Sequence, residues 1–134
     1  MQINISTSKK NQLVNITNDV QSAVTKSGVS DGICFIHIAH TTAGITINEN
    51  ADPDVVRDIL LSLDDIVKEL PGFRHYEGNS SSHVKSSLMG NSASVPVQNG
   101  KLQLGTWQGI YFCEFDGPRS RKAWVTCIAE SNAN

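Results

Sequence analysis

Apolar and polar residues alternate along "MQINIST", the pattern of an edge strand with one wet face, and "QLVNI" reads as its continuation. The period then changes. In "TNDVQSAVTKSG", Val20, Ala23 and Val24 share a helical face, Thr17 or Asn18 can cap it, and Gly28 stops it. The spacing predicts a helix of two to three turns. "GICFIHIAH" is apolar on both strand faces, which predicts a central strand buried on both sides, and "GITIN" predicts a further strand.

"NADPDVVRDILLSLDDIVKELPG" carries the clearest helical period. Val55, Val56, Ile59, Leu60, Leu63, Ile66, Val67 and Leu70 form an apolar stripe expected to be core. Asn50 or Asp52 can cap it; Pro53 suits the first turn, Asp54 suits the positive end of the dipole, and Pro71–Gly72 ends it. The following "FRHYEGNSSSHVKSSLMGNS" is polar and aperiodic, closing on a short helical turn at "HVKSSLMG". A loop of that length in a small domain points to function or disorder. "SVPVQNGKLQLGT" then sets Asn99–Gly100 between two alternating runs, a strong hairpin signal. "GIYFCEF" and "KAWVTCIAE" are two more strands, joined by "DGPRSR". The expected class is α+β: a mostly antiparallel sheet or sandwich with two segregated α-helices, in a single domain over residues 1–134.

Composition narrows the function classes. The chain's 134 residues, 39% hydrophobic and 18% charged, describe an ordinary globular domain. A net charge of −2 leaves no basic footprint, so nucleic acid is not an expected partner. The three cysteines, Cys34, Cys113 and Cys127, lie in apolar runs without CxxC spacing, which predicts buried reduced thiols. "MQINISTSKK" holds no apolar signal core and no run of 18 apolar residues occurs, so a cytoplasmic protein without membrane contact is expected.

Candidate chemistry centres on the four histidines. His37, inside an apolar strand, reads as a core histidine bonded to a neighbour. His40 falls on the opposite strand face, at the polar mouth of "HTTAGITINEN". His75 and His83 lie in the polar segment. Three imidazoles suit zinc and its neighbours and leave an open coordination position; the competing reading is three unrelated surface histidines. Trp107 and Gln108 fit a pocket wall or a strand junction or subunit contact equally well. Arg119 and Arg121 fit phosphate binding, a solvated turn or an inter-subunit ion pair, and Asn48, Glu49 and Asn50 fit a helix cap.

Three segments, "HTTAGITINENADPDV", "HYEGNSSSHVKSSLMG" and "VPVQNGKLQLGTWQGIYFCEFDGPR", occur in an order and spacing that resembles the YjbQ family, also called the secondary thiamine-phosphate synthase family, over residues 3 to 130. The resemblance implies a compact α+β homotrimer with a histidine-lined pocket near the subunit boundaries. It implies His40, His75 and His83 as ligands of a divalent metal, zinc or another transition ion, with magnesium as the alternative. It also implies a secondary thiamine-phosphate synthase activity, a transfer that displaces pyrophosphate from a pyrimidine methyl diphosphate. For that reaction, Glu49, His40 and His83 are the expected catalytic residues, Glu49 orienting a histidine or a metal-bound water. Thr41, Thr42, Thr106, Trp107, Arg119 and Arg121 are the expected contacts to a small phosphorylated metabolite. The alternatives are a histidine-metal hydrolase of such a metabolite and a non-catalytic trimeric binder of a small anion or metabolite.

Overall fold

The computed structural model describes residues 1–131. Eight strands, β1 (Gln2–Ser6), β2 (Gln12–Asn15), β3 (Gly32–Ile38), β4 (Ala43–Glu49), β5 (Ser92–Gln98), β6 (Lys101–Leu102), β7 (Gln108–Glu114) and β8 (Ser120–Ala129), form two antiparallel sheets. Five strands run in the order β1-β8-β3-β5-β6 and three in the order β2-β7-β4. The α+β expectation is met. The "QLVNI" run is not a continuation of the first strand, however: β2 leaves for the second sheet and pairs with β7.

The layers follow from which faces are apolar. Ile3 and Ile5 of β1, Cys34, Ile36 and Ile38 of β3, and Ala123 and Val125 of β8 meet Ile45, Ile110 and Phe112 of the smaller sheet in one core. Helix α1 (Thr17–Ser27) closes it with Val20, Ala23 and Val24, all at most 2% exposed, and ends at Gly28. Each buried valine or isoleucine side chain contributes roughly 1.5–3 kcal/mol. The other face of β7 supplies Tyr111 and Cys113, with Phe115 just beyond, to a second core under α2 (Pro53–Ile66). So β7, not β3, is the strand covered on both sides. The outer face of β3 is bare, with Ile33 51% and Phe35 40% exposed, because no helix crosses the five-stranded sheet there.

Two further expectations change. The stripe on α2 is only half-buried: no residue between Pro53 and Ile66 is fully enclosed, and Ile66 and Leu70 are exposed. Of the two expected cap residues it is Asp52 that caps the helix, its carboxylate accepting the Asp54 N–H at 2.9 Å, while Asn50 packs over Gly109. The polar segment expected to hold one helical turn forms a third helix, α3 (Ser80–Met89). Its seat on β4 depends on Gly44, where a Cβ would lie 2.7 Å from the Gly90 carbonyl oxygen. The Asn99–Gly100 hairpin forms as expected, with φ of 53° and 73° at its two turn residues, the left-handed pair that a type I′ turn requires.

Candidate functional site

Several chain links cross between the sheets at one end of the molecule. Thr7–Asn11 leads from β1 to β2, Ala39–Thr42 from β3 to β4, and Phe115–Arg119 from β7 to β8. A strand that changes sheet leaves its polar backbone unpaired at the corner, which is why these links are rich in hydroxyls, amides and charge. A cavity of about 600 Å³ opens between the Ala39–Thr42 and Phe115–Arg119 links and the start of α3.

All four histidines line it. His40 comes from the β3–β4 link, His83 from the first turns of α3, and His75 from the loop ahead of α3. The His75 and His83 rings face each other with centroids 5.3 Å apart and planes at 85°. His40 stands edge-on to Phe112 at 6.4 Å, and its Nε2 accepts the Lys122 backbone N–H at 2.9 Å. That bond occupies the lone pair of Nε2. Among the described residues no three His, Cys, Asp or Glu side chains are grouped closely enough to enclose an ion. Burial, with the nearby Arg121 charge adding to it, holds the His40 imidazole below its ordinary 6.5, against the opposing pull of Glu114. It is a neutral ring at neutral pH.

His37 corrects the expectation of a core histidine. It sits half-buried on the outer face of β3, opposite Trp124, where the bare sheet face runs into the cavity.

Beneath the cavity lies a buried ion pair. Glu114 is 0% and Arg121 3% exposed. Arg121 Nε donates to Glu114 Oε1 at 2.9 Å, and its Nη2 donates to Glu114 Oε2 and to Thr42 Oγ1, the latter at 2.8 Å. Glu114 also accepts from Thr7 Oγ1 at 2.7 Å and from the N–H groups of Phe115 and Asp116 at 3.0 and 3.1 Å. Burial pushes this carboxyl up, but the hydrogen bonds from Arg121, Thr7 and the Asp116 N–H outweigh it and leave it below its ordinary 4.5. Arg121 is therefore neither in a solvated turn nor a free arm. The sequence reading missed Glu114; its signal was a lone acid inside the apolar run "GIYFCEF".

Arg119 is tied to Asp116, with Nε donating to its carbonyl at 2.9 Å and Nη2 to Oδ2 at 3.1 Å. Asn79, at the start of α3, donates Nδ2 to the same Oδ2 at 2.8 Å, and its Oδ1 is buried without a partner among the described residues. Asn79, Asp116 and Glu77 are lining residues that the sequence reading also missed.

Of the expected residues, His40, Thr41, Thr42, His75, His83, Arg119 and Arg121 line the cavity together. Glu49, Thr106 and Trp107 do not. Glu49 ends β4 opposite Gln108, six residues past the cavity end of that strand, a distance of about 20 Å at ~3.3 Å per residue. Thr106 and Trp107 precede β7 at the same far end, where the Trp107 carbonyl accepts the Asn50 N–H at 2.9 Å. Within the single chain, the length of β4 and β7 thus keeps these three away from the histidine cavity.

The comparisons with known proteins fall on this same frame. The family model "UPF0047 protein YjbQ-like" matches residues 1–130. The chain belongs to the YjbQ family. It is 52% identical over 126 residues to UPF0047 protein MJ1081 of Methanocaldococcus jannaschii, covering 94% of this chain and 91% of that one. It is 50% identical over 124 residues to UPF0047 protein YugU of Bacillus subtilis, covering 92% and 94%. A crystal structure of a YjbQ/UPF0047 protein from Clostridium acetobutylicum superposes with a TM-score of 0.92 at 56% identity, over 96% of this chain and 99% of that one. A YbjQ-like protein of unknown function from Sulfolobus solfataricus gives 0.91 at 36% identity, over 97% and 96%.

These YjbQ relatives bear only family designations, and the Sulfolobus protein is one of unknown function; none is described as a thiamine-phosphate synthase or a hydrolase. That overturns the expected thiamine-phosphate synthase activity, and neither the hydrolase nor the binder reading gains better support from them. Among the described residues, no helix is long and apolar enough to cross a membrane.

Proposed function

We propose that the cavity is a transition-metal site with room for a small molecule beside the ion. The single observation that carries this reading is the convergence of His40, His75 and His83 on one cavity from three separate chain segments. Imidazole donors fit zinc and its neighbours, whereas magnesium prefers carboxylate oxygens and water. The facing His75 and His83 rings support this reading, and His40 would join on turning its ring from the Lys122 N–H. The ion would supply a positive, open position for an oxygen or nitrogen donor of the bound molecule.

The chain's own residues prepare the rest of the pocket. Arg121 is held rigid through Nε and Nη2, and its Nη1 has no partner among the described residues, so it offers a fixed donor to an acceptor oxygen such as that of a phosphorylated metabolite. Thr41 adds an exposed hydroxyl at the same wall.

The bare outer face of the five-stranded sheet, with Ile33, Phe35, Trp124 and Ile128 exposed, supports assembly of copies of this chain, a homotrimer, through that face.

Elemental analysis of protein purified without added metal tests the site. Zinc, iron or nickel near one equivalent per chain is expected, falling well below that in His83→Ala. Metal-free wild-type protein that also fails to take up any of these ions would refute it.

A further inference from the structure

Cys34 and Cys127 stand directly opposite each other on β3 and β8, adjacent strands in the interior of the five-stranded sheet. Facing residues of an antiparallel ladder keep their Cα atoms about 4.5–5.5 Å apart, within the ~4.4–6.8 Å that a disulfide spans. Register puts both side chains on the same sheet face, turned to the core between the sheets. Both are free thiols.

Their surroundings differ in a useful way. Cys34 is 0% exposed, while Cys127 is only partly buried at the margin of the core. Burial, with the facing Cys127 adding to it, pushes the Cys34 thiol up to about 12, so it does not react alone. Cys113 has no thiol across from it: its ladder partners are Leu13 and Gly44.

We propose that Cys34 and Cys127 form an oxidation-responsive pair that takes a hydroperoxide as its oxidant and closes to a disulfide between β3 and β8. The Cys127 thiolate attacks the peroxide O–O bond; its sulfur gains the hydroxyl as a sulfenic acid, and the other oxygen leaves as water or an alcohol. The Cys34 sulfur then displaces the sulfenic oxygen, which departs as water with the Cys34 proton. Two thiols and one hydrogen peroxide thus give one disulfide and two waters, two electrons passing from sulfur to oxygen. The new bond lies three residues before His37 on β3, in the strand that leads to His40. It staples the two strands that bring His37 and Arg121 to the cavity.

The test is peroxide treatment of the reduced full-length protein, alkylation under denaturing conditions, and peptide mass mapping with and without reductant. A Cys34–Cys127 linked peptide with Cys113 alkylated is expected, together with an upward shift of the thermal midpoint that dithiothreitol reverses. In Cys34→Ser the linked peptide should vanish and Cys127 should stop at sulfenic or sulfinic acid. Wild-type protein in which Cys127 reaches sulfinic acid while Cys34 remains alkylatable would overturn the pairing, as would linkage through Cys113.

Discussion

Glu114 shows how much a single buried charge organises this molecule. Its carboxylate gathers Arg121 of β8, Thr7 and the N–H groups of Phe115 and Asp116, so two chain links and a strand meet on one residue. Removing one partner of such a pair strands the other as a buried charge, which costs about 3–5 kcal/mol. Glu114→Ala is expected to lose stability on that scale in urea unfolding. A loss under ~1 kcal/mol would mean that Arg121 finds another partner or reaches water. The pH dependence has a definite sign. Because the folded carboxyl titrates below its ordinary 4.5, its stabilisation is complete above that value and is lost as pH falls through it toward the folded range. His40 acts in the same direction for a different reason. Its folded imidazole titrates below 6.5, so the unfolded chain takes up the proton first and stability drops as pH falls below 6.5. His40→Gln should flatten that part of the stability profile measured by urea midpoints; an unchanged slope would remove His40 from the account.

At the scale of elements, the site rests on where α3 lies against β4. Gly44 allows that approach, and a Cβ there would meet both the Gly90 carbonyl oxygen and the Met89 side chain. Gly44→Val should cost about 1–3 kcal/mol as an overpacked contact and should weaken metal binding through displacement of His83. Urea unfolding and zinc titration of the same variant check both; a loss of stability with unchanged zinc affinity would show that α3 does not move. The period-2 and helical patterns revealed α1, the long helix and the hairpin because each rests on local chemistry: a cap, a stop or a left-handed turn pair. The site was legible only in part. His40, His75 and His83 stood out as polar residues at ends and in a loop, and the cavity unites them. Residue chemistry and the family resemblance point to Glu49, Thr106 and Trp107, but neither says which end of a seven-residue strand a side chain occupies. His37 misled because an apolar run looks buried even when nothing covers its outer face in a single chain.

The whole molecule is a stack of two sheets with helices over only part of it. The uncovered face of the larger sheet carries Ile33, Phe35, Trp124 and Ile128 on the neighbouring strands β3 and β8, an apolar patch of the kind that marks interaction sites. If the chain assembles through this face as proposed, Phe35→Lys is expected to lower the mass seen by light scattering at micromolar concentration to that of a monomer, while far-UV circular dichroism stays the same. A wild-type monomer would remove that proposal and leave the metal site to be judged separately. The most direct test of the central claim is calorimetric titration of zinc into the demetallated protein and into His75→Ala and His83→Ala. About one ion should bind per wild-type chain, with at least a tenfold weaker affinity in each variant. Equal affinity in all three proteins, or no binding to the wild type, would contradict a metal held by the facing imidazoles.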